Sequence, residues 1–219
     1  MNPTTQLKKK ASYSRPMSSR GQWKWIPTLS FLILSVFAGV SSYAASWQPS
    51  EGQELVGTAA PEFEGLEWIN SAPFTLHGLQ GKVVLIRFWL ADCPLCENSA
   101  AALNYLNEKY ETAGLVVIGI HHAKSEATKK TSVVEKSAKR LGFKFPIAQD
   151  TDWKTIDAFW LGKTKRKYTS ATFLIDKAGL ICWLHDGGTL SMSGDGNAAF
   201  VRLKGKIESL LSTRQTLLK

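Results

Sequence analysis

Several things are missing from this 219-residue chain, and each absence narrows the reading. The first fifty residues contain no Asp or Glu. The whole excess of positive charge is therefore misleading: six of the 27 Lys and Arg lie before Glu51, and the remainder sets 21 bases against 18 acids. A body at +3 is only mildly basic, and nucleic acid loses its main support as a partner. Cysteine is scarce, three in all, and odd in number, so a framework of stable bridges is excluded. No second Cys-x-x-Cys and no helically spaced His pair accompany Cys93 and Cys96, which leaves a closed zinc site short of ligands. "HDGGTLSMSGDGN" carries no phosphate-cradle pattern, and no internal repeat, low-complexity tract or cofactor motif is found; no cofactor is expected.

What is present begins with the basic head, Lys8, Lys9, Lys10, Arg15, Arg20 and Lys24, followed by an apolar run from Leu29 to Val40. That run has signal-peptide length, short of the ~20 residues of a spanning helix. Ser42 and Ala44 form a small-x-small cleavage site. No twin arginine and no nearby cysteine accompany it, so an unfolded-state export signal is expected rather than a lipid anchor. The competing reading is an uncleaved anchor over Trp25 to Ala45. Both place the body across the membrane from the cytoplasm, in a periplasmic or other extracytoplasmic space. The expected organisation is a signal or anchor at 1–44, a linker at 45–60, one domain at 61–213 and a tail at 214–219.

Within the domain, "FEGLEWINSAPFTL" reads as an N-terminal hairpin turning at Asn70–Ser71. "KVVLIRFWLA" is a continuous apolar run, as in a strand covered on both faces. From Pro94 to Tyr110 the spacing becomes helical, with Ala101, Leu103 and Leu106 expected on the buried side and Gly114 beyond the end. "LVVIGIHH" is a second buried strand, Ser125 to Leu141 a Lys-rich helix, "FPIA" a short strand, and "DWKTIDAFWL" a short helix capped by Asp150 or Thr151. "ATFLIDKAGLICWLHDGG" is a hairpin, and Ala198 to Leu211 a final amphipathic helix. Parallel strands joined by helices and closed by a hairpin predict an α/β fold: a mixed central sheet with helices on both faces. The loop leaving a central strand is where such sheets place their sites, and Cys93 falls there.

A sulfur at a helix N-terminus faces free backbone N–H groups and the positive end of the dipole, which favours its thiolate. Pro94 in the first turn sacrifices no hydrogen bond. Cys93 is then placed to attack a disulfide, and Cys96, one turn on, to resolve the product. Half of a metal site and two inert thiols are the other readings of the pair. His121 and His122 point to opposite faces of their strand, so at most one could join a metal.

"GKVVLIRFWLADCPLCENSAAALNYLNEKY…GLVVIGIH" together with "SATFLIDKAG" resembles the exported thioredoxin-like thiol–disulfide oxidoreductases of the TlpA/ResA type, within the wider redoxin and AhpC/TSA group. The resemblance covers about Ala60 to Leu211. It rests on Phe88–Trp89 ahead of Cys93, the Cys-Pro-x-Cys, the "VVIGI" strand and the "TFLID" hairpin. It implies a three-layer thioredoxin-like fold, with Cys93 as nucleophile and Cys96 as resolving thiol. It also implies a protein disulfide or dithiol as substrate and a membrane-bound or exported redox partner to reset the pair.

Three departures from the family pattern bear on tuning. Ser170 stands where relatives keep a cis-proline facing the cysteines; a trans bond and a reshaped substrate edge are expected. Arg87 stands six residues before the nucleophile, where relatives often keep a buried Asp or Asn. An arginine is rarely buried unpaired, so a structural bridge to Asp92, Glu97 or another carboxylate is expected, with thiolate stabilisation as the functional alternative. Asp92 and Glu97 bracket the pair, and a carboxylate beside a thiolate raises its pKa, which pushes the pair toward a reductant, while Arg87 and the Lys163–Lys167 loop push the other way. The Lys163–Lys167 loop should border the site, as a solvated face or as a means of steering substrate. Trp89 and Pro94 complete the residues expected to shape the site.

His122 reads as a surface residue, with a place near the sulfurs as the alternative, Cys182 as a buried apolar one, and Trp153, Phe159 and Trp160 as core. The expected activity is thiol–disulfide exchange on protein substrates, as a reductant. A thiol peroxidase and a copper-carrying module on Cys93, Cys96 and one histidine are the alternatives. The peroxidase pattern Pro-x-x-x-Thr-x-x-Cys is not supplied by Phe88, Trp89 and Ala91.

Overall fold

A computed structural model describes residues 51–162 and 164–213. The expected signal or anchor at 1–44, the first part of the linker at 45–50, Lys163 and the tail at 214–219 lie outside the described residues. No helix among the described residues is long and apolar enough to cross a membrane.

The sheet has six strands: β1 Glu67–Trp68, β2 Val83–Trp89, β3 Leu115–His121, β4 Ile147–Gln149, β5 Thr172–Ile175 and β6 Ile181–His185. Their spatial order is β1-β4-β3-β2-β5-β6. β2, β3 and β4 run parallel, while β1, β5 and β6 pair antiparallel. Every residue of β2 is buried, as its unbroken apolar run predicts for the central strand. Successive side chains alternate between the faces. Val83, Leu85 and Trp89 enter one core, with Leu103, Leu106, Val134, Leu203 and Ile207. Val84, Ile86 and Phe88 enter the other, with Ile118, Phe159, Trp160 and Phe173.

The first core lies under three helices, α1 Pro94–Tyr110, α2 Thr131–Arg140 and α4 Asn197–Ser212. The second lies under α3, Lys154–Ile156, which runs into a π-helical turn at Asp157–Leu161. This is the expected mixed sheet with helices on both faces. Asp150 caps α3, its carboxylate accepting the N–H groups of Thr155 and Ile156 at 3.3 and 2.7 Å.

Three local expectations need correcting. The N-terminal hairpin contributes a single two-residue strand, β1, which pairs with β4; residues 72–76, expected as its second strand, form none and lead into a 3-10 turn at His77–Leu79. The long Lys-rich helix is broken at Lys130, whose extended backbone separates a 3-10 turn at Glu126–Lys129 from α2. There the Thr128 hydroxyl bonds back to the Ser125 carbonyl at 3.0 Å, a local alternative to helix. Ala101 is exposed, and Ala102 holds the buried position beside Leu103.

Residues 51–60, expected as linker, are held against the body. The N–H of Gly57 donates to the Ile181 carbonyl at 2.8 Å, Ile181 returns a bond to Thr58 at 2.9 Å, and Ala60 donates to Gly179 at 2.9 Å. Gly52, at φ 86°, sits so close that a Cβ there would come within 2.4 Å of Leu184 and Trp160.

Candidate active site

β2 ends at Trp89, and the chain reaches α1 through Leu90, Ala91 and Asp92. Cys93 is the N-cap of α1, in extended conformation, with Pro94 at the first helical position. The N–H of Cys96 donates to the Cys93 sulfur at 3.3 Å, so the cap is the residue expected as nucleophile. Cys93 is half-buried, and Cys96 is 2% exposed. Both are free thiols, as is Cys182.

Cys93 is acidified, its pKa drawn down to about 6. The largest cause is the Cys96 thiol donating to the Cys93 sulfur; burial opposes it, and the N–H groups of Cys96 and Leu95 and the Arg87 cation reinforce it. The same coupling, with burial, pushes the Cys96 thiol far above its ordinary range, while Arg87 pulls it back. One thiol is thus ready as thiolate and its neighbour holds the proton, the division of labour a nucleophile and a resolving thiol require.

Arg87 corrects an expectation. It is 1% exposed, and among the described residues it forms no ion pair with any carboxylate. Its partners are neutral oxygens. One terminal nitrogen donates to Thr172 Oγ1 on β5 at 2.9 Å, and the other donates to the Gly188 carbonyl at 2.8 Å and reaches Ser99 Oγ on α1 at 3.5 Å. The charges that face it are sulfurs. Burial draws the Arg87 pKa down, and Cys96 first, then Cys93, draws it back up.

Ser99 and Gly188 escaped the sequence reading. Ser99 Oγ donates to the Leu95 carbonyl at 2.7 Å and accepts the N–H of Leu190 at 2.9 Å, so one hydroxyl joins the first turns of α1 to the loop after β6. Its position three residues beyond Cys96, on the same helix face, was the available signal. Gly188 acts through its carbonyl, which no side-chain pattern reveals.

The carboxylates take other roles. Asp92 is exposed, and the group it influences is His121, whose protonated form it favours. Glu97 is exposed and pairs with Arg140 at 2.7 Å. Ser170 is 3% exposed, one residue before Ala171, whose carbonyl accepts the N–H of Phe88 at 3.0 Å; it lies at the head of β5 beside the end of β2. Trp89 is buried edge-on against His121 and Phe143, with ring centroids 5.1 and 5.3 Å away.

The basic loop is partly structural. The Arg166 side chain, 8% exposed, pairs with Glu54 at 2.6 Å, donates to the Trp160 carbonyl at 3.2 Å and lies 4.3 Å over the Trp160 ring. The Lys167 N–H donates to Glu51 at 3.1 Å.

His122 is not on the surface. It is fully buried between Phe88 and Trp153, and burial pulls its pKa down to about 3. His121, also fully buried, falls to about 4 for the same reason. As expected, the two rings enter opposite faces of the sheet. Cys182 is half-buried, its thiol donating to the Leu174 carbonyl at 3.3 Å, and burial raises it to about 11. Trp153 is half-buried and holds a left-handed backbone at φ 62°, while Phe159 and Trp160 are core. Among the described residues no three His, Cys, Asp or Glu side chains gather as a metal site, so the ligands that the copper reading needs do not converge.

Comparison with known proteins agrees with this geometry. Residues 56–184 match the AhpC/TSA family. Protein DipZ of Mycobacterium bovis is 36% identical over 132 residues, 58% of this chain and 18% of DipZ, so the chain spans under a fifth of that relative's length. The thiol-disulfide oxidoreductase ResA of Bacillus anthracis is 29% identical over 150 residues, 68% of this chain and 80% of ResA. A solved structure titled a putative thiol:disulfide interchange protein DsbE, from Chlorobium tepidum, superposes with a TM-score of 0.58 at 24% identity, over 72% of this chain and 98% of that one. That likeness is one of fold, and the fold is thioredoxin-like.

Proposed function

The chain belongs to the AhpC/TSA family, and from the site it carries we propose that it performs thiol–disulfide exchange on protein substrates outside the cytoplasm, as a reductant. One observation carries this reading: an acidified Cys93 caps α1, and a buried, protonated Cys96 hydrogen-bonds to it. The Cys93 thiolate attacks one sulfur of a substrate disulfide, the second substrate sulfur leaves as a thiolate and takes up a proton, and a mixed disulfide remains. Cys96 loses its proton and attacks Cys93. The Cys93–Cys96 disulfide forms, the bond to substrate breaks, and the substrate departs reduced.

The reductant direction is supported by the acidity of Cys93. At about 6 it lies closer to the value of ~7 of thioredoxin than to the ~3.5 of the strong oxidant DsbA. Export follows from the basic head, the Leu29–Val40 run and the Ser42/Ala44 cleavage site. A protein held outside the cytoplasm receives electrons through a membrane-bound or exported partner, which resets the pair.

The test is turnover of a model protein disulfide such as insulin by the reduced protein. Activity is expected to vanish in Cys93→Ser and to stall as a trapped mixed disulfide in Cys96→Ser. Peroxide consumption that depends on Cys93, without disulfide reduction, would move the assignment to a thiol peroxidase.

A further inference from the structure

A buried cation without a carboxylate partner is costly, and a side chain that removes the partner from its neighbourhood leaves that cost unmet. Arg87 is in this position. Alternation along β2 puts it on the face of Leu85 and Trp89, the face that α1 covers. Its contact with Ser99, one turn beyond Cys96, sets the guanidinium beneath the first turns of that helix. Thr172 and Gly188 hold it from two other sides with neutral oxygens. Asp92 and Glu97 are exposed, and Glu97 is taken by Arg140.

We infer that Arg87 is a positioning residue for the resolving step: a fixed, buried cation that favours the thiolate of Cys96 once Cys93 is bound in a mixed disulfide. The inference deepens the exchange reading and rests on it. In the resting dithiol the negative charge resides on Cys93, whose hydrogen bond is the chief reason that Cys96 holds its proton. After attack, Cys93 Sγ is bonded to the substrate sulfur and carries no charge. That restraint on Cys96 is gone, and burial alone opposes its ionisation, while Arg87 and a backbone hydrogen bond at Leu90 favour it. Cys96 then gives its proton to solvent and attacks Cys93, and the departing substrate thiolate takes up a proton. No carboxylate base is needed, because the anion is stabilised where it forms. The titratable groups facing Arg87 are Cys96 and Cys93 at α1 and His185 at the end of β6, in register with Thr172; His122 feels the cation through the sheet, from the opposite face. Both histidines are held neutral by burial, so they leave the cation unbalanced.

The test isolates Cys96 in the full chain as Cys93→Ser/Cys182→Ala, where the introduced hydroxyl is uncharged like the sulfur of the mixed disulfide, and follows thiolate absorbance at 240 nm against pH. The Cys96 midpoint is expected below about 11, the value burial gives the less buried Cys182. A midpoint at or above that value overturns the inference without any change to Arg87. Adding Arg87→Gln is expected to raise the midpoint by at least one pH unit, and Arg87→Lys to restore most of it. Thr172→Val removes an anchor and keeps the charge, so it should lower thermal stability with little movement of the midpoint. An unmoved midpoint in Arg87→Gln, or an equal shift in Thr172→Val, assigns Arg87 a purely structural role. In the protein with Cys93 and Cys96 intact and Cys93 loaded as the thionitrobenzoate mixed disulfide, Arg87→Gln should shift the pH profile of thionitrobenzoate release upward by the same amount. The titrations need no turnover, so a protein that titrates as expected and yet reduces no disulfide would sink the exchange reading and leave the electrostatic one standing.

Discussion

The sulfur of Cys93 and the amide of Cys96 are 3.3 Å apart, and the contact makes the reactive atom the cap of its own helix. A cap of this kind ties acidity to the integrity of the first turn, because the same N–H groups that start α1 stabilise the anion.

Alkylation of Cys93 by iodoacetamide should therefore reach a plateau above about pH 7 and fall about tenfold per pH unit below its midpoint near 6. Cys96→Ala removes the strongest donor and should raise that midpoint, while Cys96→Ser, which keeps a hydroxyl donor, should raise it less. Equal midpoints in all three proteins would mean that the thiol of Cys96 plays no part.

Thermal stability of the reduced form should rise with pH from 6 to about 8.5. In that window the unfolded chain keeps the Cys93 proton and the folded chain has lost it, so the unfolded state binds more protons and folding gains as pH rises. The gain is present above the unfolded value and is lost as pH falls through the folded one. Differential scanning calorimetry of the wild type against Cys93→Ser should show a steeper rise in the former, the histidine contribution near pH 6 being common to both.

Acid should destabilise the domain through His121 and His122. Both are fully buried, with folded values near 4 and 3, below the ordinary 6.5. As pH falls below 6.5 the unfolded chain takes up protons that the folded one refuses, so each histidine removes up to about 1.4 kcal/mol per pH unit until its folded value is reached. His122→Phe, which suits the aromatic pocket of Phe88 and Trp153, should flatten that limb in urea denaturation below pH 6.

Arg166→Ala should cost about 2 kcal/mol of folding stability, because it removes a stacked cation, an ion pair and a bond to the Trp160 carbonyl. Insulin reduction at a temperature where the variant stays folded should be unchanged. A fall in turnover without a fall in stability would return this loop to substrate steering.

Asp92→Asn and Glu97→Gln should each move the Cys93 midpoint less than Cys96→Ala does. Both carboxylates are exposed, and water screens them from the sulfur. This outcome reverses the weight that their adjacency in sequence suggests.

The sequence makes the strand–loop–helix around Cys93 readable because each signal there is local: an unbroken apolar run, a proline at the first turn, a helical period. β2 and α1 fall within a residue or two of their expected ends. The partner of Arg87 was not readable. Its neutral oxygens come from Thr172, 85 residues on, and Gly188, 101 residues on, and only the closed sheet brings them together. Asp92 misled for the complementary reason: nearness along the chain says nothing of which way a side chain faces. His122 misled because the strand end at which it sits is roofed by Trp153, from a helix that begins more than thirty residues later.

The pairing of residues 57–60 with β6 has a consequence beyond packing. β6 is the last strand of the sheet, and an outer strand with free N–H and C=O groups is a template for another chain. Here the polypeptide seals part of that border with its own entering segment. A truncated protein starting at Pro61 would keep both cysteines and every contact of Arg87, and it would still bare a strand edge to its neighbours in solution. The place at which the chain is trimmed thus sets how much of the β6 edge is left bare to a neighbouring chain.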